Sequence, residues 1–238
     1  MKIGLVPWRF KNGDIAFNMA QIERAMKEAR GRADLLCFGE AFLQGFDSLC
    51  WDHETDMRTA VSQESELMAK LRRWTAEYGA ALLLGYIERD GESLYSSCIV
   101  LEGGNILHNY RRISEGWKLP EKADGHYRED TDTAGFRFHG RDITIALCGD
   151  LWAKPEEFKV DGLLIWPVFC NYAPDEWEKT ELAAYAAHAA SFADDTLVIN
   201  SIDESCGSVG GAFWFRRSAV KERTAFGEER ILFVELDD

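Results

Sequence analysis

The sequence predicts an α/β fold in which two packed, mixed sheets are covered by helices. Three observations carry this reading. Apolar strand-like runs alternate with amphipathic helical spacing near both ends of the chain. The middle reads as hairpins, turned at Asp90-Gly91 and Gly103-Gly104. Two helices flank the early strands and one flanks the late strands, a distribution that suits two covered sheets better than one doubly wound sheet.

The elements follow in order. Ile3 to Pro7 reads as a short buried strand, and Asn12-Gly13-Asp14 as a turn. From Asn18 to Arg30, Met19, Ile22, Ala25, Met26 and Ala29 fall on one helical face. Ala33 to Phe38 is a second strand, ending at Gly39-Glu40. Ser62 to Tyr78 is a second amphipathic helix, with Leu67, Leu71 and Trp74 on its buried side. Strands follow at Ala80 to Glu88, Leu94 to Glu102 and Ile106 to Arg112. Residues 114–133 are irregular and polar, broken at Pro120, and a loop of that length in a compact domain is more often functional than idle. Phe136 to Phe138 and Arg141 to Cys148 form another hairpin, and Gly162 to Pro167 a buried strand. Trp177 to Phe192 is an alanine-rich helix. Thr196 to Ser201, Gly211 to Arg216 and Glu229 to Leu236 close the chain as strands. No repeat or linker interrupts the pattern, so residues 1–238 are expected to form a single domain.

Composition narrows the function classes. The 238 residues carry 41 acidic and 27 basic side chains, a net charge of −14, so the basic stripe that binds phosphate backbones is absent and a nucleic-acid partner is not expected. No apolar stretch reaches the roughly 18 residues of a membrane span. The opening Met1 to Trp8 reads as a first strand rather than a leader. The six cysteines are scattered without a C-x-x-C pair, which leaves out zinc-type spacing and fits free thiols in a reducing cytoplasm.

The chemistry centres on Cys148, in I-T-I-A-L-C-G-D-L-W, where an apolar run stops at Cys-Gly-Asp. Open α/β sheets place their chemistry at the ends of such strands. A cysteine nucleophile with an ordinary pKa of roughly 8.5 needs a base or a cation beside it. None of the five histidines is spaced to announce a Cys-His pair, which turns attention to carboxylates. Glu40 stands directly after L-L-C-F-G, where burial would raise its pKa toward that of a general base. Tyr110-Arg111-Arg112 and Lys118 bring positive charge from a third stretch.

With these residues together, the chain resembles the nitrilase, or carbon–nitrogen hydrolase, superfamily over nearly its whole length. Ala33 to Phe46 is similar to the family's acidic motif, with Gly39 where proline is usual and Glu40 on the general-base position. Tyr78 to Tyr86 and Leu94 to Val100 resemble its middle strands, and I-A-L-C-G-D-L-W its nucleophile motif, with Cys148 on the nucleophile and Asp150 on a structural acid. The departure is at the lysine: the family's third motif usually reads tyrosine-arginine-lysine, and here Arg112 takes the last place. Two readings stay open. Arg112 supplies the cation with a rigid fork, or Lys118 swings in from S-E-G-W-K, the reading favoured here on the reach of a flexible point charge. Glu121, with Glu115 as the second choice, stands for the further acid that the family often places after its lysine.

The resemblance implies a four-layer α-β-β-α sandwich with two mixed sheets, commonly a homodimer. It also implies an amidase-like hydrolase of small amides or nitriles, working without metal or organic cofactor through a thioester with a Glu-Lys-Cys triad. The backbone N–H of Gly149 would join the cation at the oxyanion. Trp152, Phe169-Cys170-Asn171-Tyr172 and the 114–133 loop would set the substrate, with Tyr110 nearby. A catalytically silent relative on the same fold is the alternative that Arg112 raises. A thiol redox protein is disfavoured because no resolving cysteine lies near Cys148 in sequence.

Overall fold

The computed structural model describes residues 1–236; Asp237 and Asp238, which the expected domain includes, lie outside the described residues. The first half of the chain supplies β1 (Lys2–Val6), α1 (Ile15–Ala29), β2 (Leu35–Phe38), α2 (His53–Thr59), α3 (Glu66–Tyr78), β3 (Ala81–Asp90), β4 (Ser93–Glu102) and β5 (Asn105–Arg111). The second supplies β6 (Phe136–Phe138), β7 (Arg141–Ile145), α4 (Asp150–Ala153), β8 (Leu163–Val168), α5 (Pro174–Glu176), α6 (Leu182–Ala189), β9 (Asp195–Asp203), β10 (Ser208–Arg216), β11 (Ala219–Arg223) and β12 (Leu232–Glu235).

Two six-stranded sheets result, ordered β12-β1-β2-β3-β4-β5 and β11-β10-β9-β8-β7-β6. Each has a parallel trio flanked by antiparallel strands: β1, β2 and β3 in one, β7, β8 and β9 in the other. The parallel strands are buried on both faces, and successive side chains take opposite sides. Leu35 and Cys37 join Ile3, Leu5 and Leu83 in one apolar cluster with Ile145, Ile165 and Val198 of the second sheet. Leu36 and Phe38 point the other way, into a cluster with Ile22 and Met26 of α1 and Leu71 and Trp74 of α3. Helix α6 lies against β10 and β11 on the far side of the second sheet. The four layers are therefore helix, sheet, sheet, helix, as anticipated. No helix among the described residues is long and apolar enough to cross a membrane.

Several boundaries differ from the sequence reading. Helix α1 begins at Ile15 rather than Asn18, because Asp14 caps it by accepting a hydrogen bond from the Phe17 N–H at 2.9 Å. On α3 the inner face is Met68, Leu71, Trp74 and Tyr78, with Leu67 only half-buried. Strand β7 stops at Ile145, short of Cys148. A π-helical turn, Trp177–Glu181, joins α5 to α6 in place of one regular helix from Trp177. Helix α2 and strand β11 have no counterpart in the sequence reading.

Candidate active site

Glu40 follows β2 in a turn that the sheet holds tightly. Gly85 on β3 lies so close that a Cβ there would overlap the Gly39 carbonyl oxygen and crowd the Ala41 nitrogen and the Glu40 α-carbon. Ala41 takes a left-handed φ of 50°, which turns the chain away and leaves the Glu40 side chain facing inward. The carboxylate is fully buried. Its Oε1 accepts from Arg112 Nη1 at 2.7 Å and from Ser96 Oγ at 3.2 Å, while Oε2 is buried without a hydrogen bond. Burial, followed by the field of the Cys148 sulfur, pushes this carboxyl up to about 8 against the pull of Arg112.

Arg112, just past β5, is itself 2% exposed at its side chain. Its Nε donates to Ser114 Oγ at 2.9 Å and lies 3.9 Å from Asp150 Oδ1. Burial opposes its charge, but Glu40, Cys148 and Asp150 outweigh that and hold it protonated. Its Nη2 passes between two glycines: an added Cβ would come within 3.0 Å of it at Gly116 and 2.8 Å at Gly149. Nη2 makes no hydrogen bond among the described residues and borders the pocket that contains Cys148. Lys118 is directed elsewhere. Its Nζ donates to Glu129 Oε2 at 2.8 Å and to the Tyr127 carbonyl at 3.1 Å, and it does not line that pocket. The structure thus brings Arg112, and not the favoured Lys118, to the Cys148 pocket, because a local acid, Glu129, holds the flexible ammonium.

Cys148 sits beyond the end of β7 with a left-handed φ of 43°, strained for a residue with a Cβ. The Cys148 N–H donates to the Pro167 carbonyl at 2.9 Å, and Trp166 Nε1 donates to the Cys148 carbonyl at 2.8 Å. Asp150 fixes the turn from below. Its Oδ2 accepts from the Leu147 N–H at 2.9 Å and from the Tyr110 hydroxyl at 2.6 Å, and its Oδ1 accepts from the Ser114 N–H at 2.9 Å. One buried carboxylate so ties the end of β5 to the cysteine turn. The thiol lies 3.7 Å from the Phe169 carbonyl oxygen. The Cys170 side chain beside it, then burial, push Cys148 well above the ordinary range. Cys170 is in turn 3.0 Å from the Tyr185 hydroxyl, so a second thiol, distant in sequence, shares the site.

These groups open into a cavity of about 660 Å³ lined by Arg112, Cys148, Gly149 and Trp152, by Phe169 to Tyr172, and by Glu181 and Tyr185. A larger hollow of about 780 Å³ lies between α1 and α3, remote from these residues. Of the residues expected at the site, the structure gathers Glu40, Arg112, Cys148, Gly149, Trp152, Phe169 and Asn171. It leaves out two besides Lys118. Tyr110 is 2% exposed and turned to Asp150 in the core, where the alternation of β5 sends it. Glu121 is exposed on the loop and does not line the cavity. Sequence reasoning missed Ser96, Glu181 and Tyr185. Helical spacing puts Glu181 and Tyr185 on one face, but nothing local says which wall that face meets. One cluster among the described residues could hold a metal ion: Asp47, Asp203 and Cys206 bring ligand atoms within 4.8 Å of one another, outside this cavity. Asn12 and Ser205 already hydrogen-bond to Asp203 there.

Comparison with known proteins agrees with this architecture. The family model for carbon–nitrogen hydrolases matches residues 2–152. A glutamine-dependent NAD(+) synthetase from Thermotoga maritima is 26% identical over 150 residues, 60% of this chain and 24% of that protein. An arylacetonitrilase from Aspergillus niger is 31% identical over 99 residues, 38% of this chain and 29% of that protein. The matched stretches thus span about a quarter of the curated relatives' length. Among solved structures, a CN-hydrolase superfamily protein from Xanthomonas campestris superposes with a TM-score of 0.79 at 16% identity, over 98% of this chain and 89% of that one. An amidase of the nitrilase superfamily from Nesterenkonia sp. AN1 gives 0.75 at 19% identity, over 100% of this chain and 92% of that one.

Proposed function

The chain belongs to the carbon–nitrogen hydrolase family, and we propose that it is an amidase-like enzyme that cleaves a small carboxamide through a thioester on Cys148. Glu40 acts as general base and Arg112 takes the place of the family's lysine. The observation that carries this reading is the position of Arg112: one nitrogen is bonded to Glu40 at 2.7 Å, and the other lies beside Gly149, next to the nucleophile.

The steps follow from the charges. Cys148 is held as a thiol, so attack requires proton removal in place. Glu40, poised near 8, takes that proton as the sulfur bonds to the amide carbon. The carbonyl oxygen gains the negative charge and meets Arg112 Nη2 and the Gly149 N–H. Glu40 returns the proton to the leaving nitrogen, the C–N bond breaks, and ammonia or an amine departs. Water, deprotonated by Glu40, then attacks the thioester carbon. The C–S bond breaks, the sulfur recovers its proton and the acid is released. A nitrile would enter by the same attack on carbon. The reading carries with it one domain, a homodimer and a reducing cytoplasm; all six cysteines being free fits the last, and light scattering tests the assembly.

Ammonia release over a panel of amides and nitriles, with hydroxylamine trapping of the thioester, is the direct experiment. Cys148→Ala is expected to abolish release and keep the fold. Iodoacetamide should label Cys148 ahead of the other five thiols, in a pH-dependent way. Absence of ammonia from every compound, with Cys148 labelled no faster than its neighbours, would overturn the assignment.

A further inference from the structure

The helix that roofs the cavity departs from regular geometry at the point where it meets the site. Its π turn, Trp177–Glu181, shifts the register so that Trp177 stays buried while Glu181, Ala184 and Tyr185 line the pocket. Single π turns inside helices recur at functional sites. Glu181 is half-buried, accepts one hydrogen bond from Thr180 Oγ1 at 2.9 Å, and has no ion pair among the described residues. Among the described residues, the one cation lining the pocket, Arg112, is already engaged by Glu40. Glu181 is therefore the uncompensated charge of the cavity.

The walls around it are aromatic. Trp152 is 45% exposed, with its ring stacked on His188 at 3.7 Å and edge-on to Tyr185 at 5.5 Å. Tyr172, 36% exposed, also lines the cavity and stands edge-on to Trp177. It shares that cavity with the Glu181 carboxylate and Cys148, and burial, then the fields of Cys170, Glu181 and Cys148, push its hydroxyl upward. Two accessible aromatic faces and one free carboxylate form a receptor for a cation: ring quadrupoles attract the charge, and the carboxylate neutralises it. The net charge of −14 draws cations toward the surface as a whole.

We infer that the substrate is a primary amide whose acyl chain ends in a positive group, an ammonium or guanidinium, held between Trp152, Tyr172 and Glu181 while its carbonyl lies at Cys148. The inference rests on the hydrolase reading above. With a primary amide the leaving group is ammonia, so the acyl chain is the part that must fill the cavity.

The experiment compares four families of primary amide at matched length: ω-ammonium, n-alkyl, ω-carboxylate and ω-phenyl. The ω-ammonium amides should exceed the n-alkyl ones in kcat/KM by tenfold or more, with an advantage that shrinks as salt rises. Glu181→Gln should lower that ratio at least fivefold, and Glu181→Lys should shift preference toward the ω-carboxylates. Binding of the same amides to Cys148→Ala by calorimetry gives a readout independent of turnover. Ammonia release with equal or better use of n-alkyl or ω-phenyl amides, or a ratio unchanged in Glu181→Gln, overturns the cation site and leaves the hydrolase standing. Selective, Glu181-dependent binding of ω-ammonium amides without turnover supports the cation site and removes the hydrolase reading. Neither binding preference nor turnover overturns both.

Discussion

In the proposed mechanism Glu40 is asked to be two things at once, a partner that holds Arg112 in a buried site and a base that must exchange protons. A buried ion pair alone would keep the carboxyl ionised and inert; burial and the nearby sulfur oppose that. The consequence is a pH dependence. Only the carboxylate form accepts the cysteine proton, so kcat/KM is expected to rise with pH through a limb near 8. The rate of Cys148 alkylation should follow the same limb and lose it in Glu40→Gln. A limb in the ordinary carboxylate range of about 4 would contradict the assignment. Arg112 sets the second expectation. Arg112→Ala removes the oxyanion donor and should lower kcat by about 10²–10³; it also strands Glu40, so Arg112→Lys serves as the variant that keeps the charge. Lys118, paired with Glu129 at 2.7 Å outside the pocket, should tolerate alanine with a change in kcat of less than about threefold, since it makes no contact with the proposed reacting groups. Steady-state kinetics of the three variants decides the point, and a larger loss in Lys118→Ala than in Arg112→Lys would return the role to the lysine.

At the scale of elements, each reactive group is delivered by the end of a strand and held by a neighbour that has no room to spare. Gly85, in the middle of β3, is the clearest case, since any Cβ there would run into the Gly39–Ala41 backbone. Gly85→Ala is expected to cost roughly 1–3 kcal/mol by overpacking and to lower turnover beyond the stability loss, because the backbone displaced is that of Glu40. Urea unfolding beside kcat at low temperature separates the two effects. The same elements show what the sequence makes legible. Runs such as Leu35–Phe38 and Leu163–Val168 are buried along their whole length and end abruptly, so the strands and the residues after them, Glu40 among them, are readable. Helix α2 is not, since His53–Thr59 has no apolar period; its one buried residue, Asp56, is polar and is held by the Tyr127 hydroxyl at 2.7 Å. Strand β11 is an exposed edge whose residues carry no inward pattern. The choice between Arg112 and Lys118 was hidden for a different reason. Both are long cations after the same strand, and the deciding partners, Ser114 and Gly149 for one and Glu129 for the other, become neighbours only in the folded loop.

Over the whole molecule, the site belongs to neither sheet. Glu40, Ser96 and Arg112 come from the first; Cys148 and Phe169 to Tyr172 come from the second, with Glu181 on the helix that covers it. The proposed chemistry therefore requires the sheets to stay packed against each other. Strands β1 and β2 rest on β9, and Leu5 of β1 lies fully buried in the apolar cluster that joins the two sheets. Leu5→Ala removes buried methyls from a residue that does not line the pocket and should cost about 2–5 kcal/mol by cavity formation. It touches no reacting group, so kcat under strongly native conditions should stay close to that of the unaltered chain. Separation of the sheets removes base and cation from the nucleophile in one event. Loss of activity and loss of near-ultraviolet circular dichroism from the buried tryptophans should therefore share one denaturant midpoint, shifted downward together in Leu5→Ala. Activity that disappears while the aromatic signal is still native would show that the pocket opens on its own, and that sheet packing is not what holds these three groups in place.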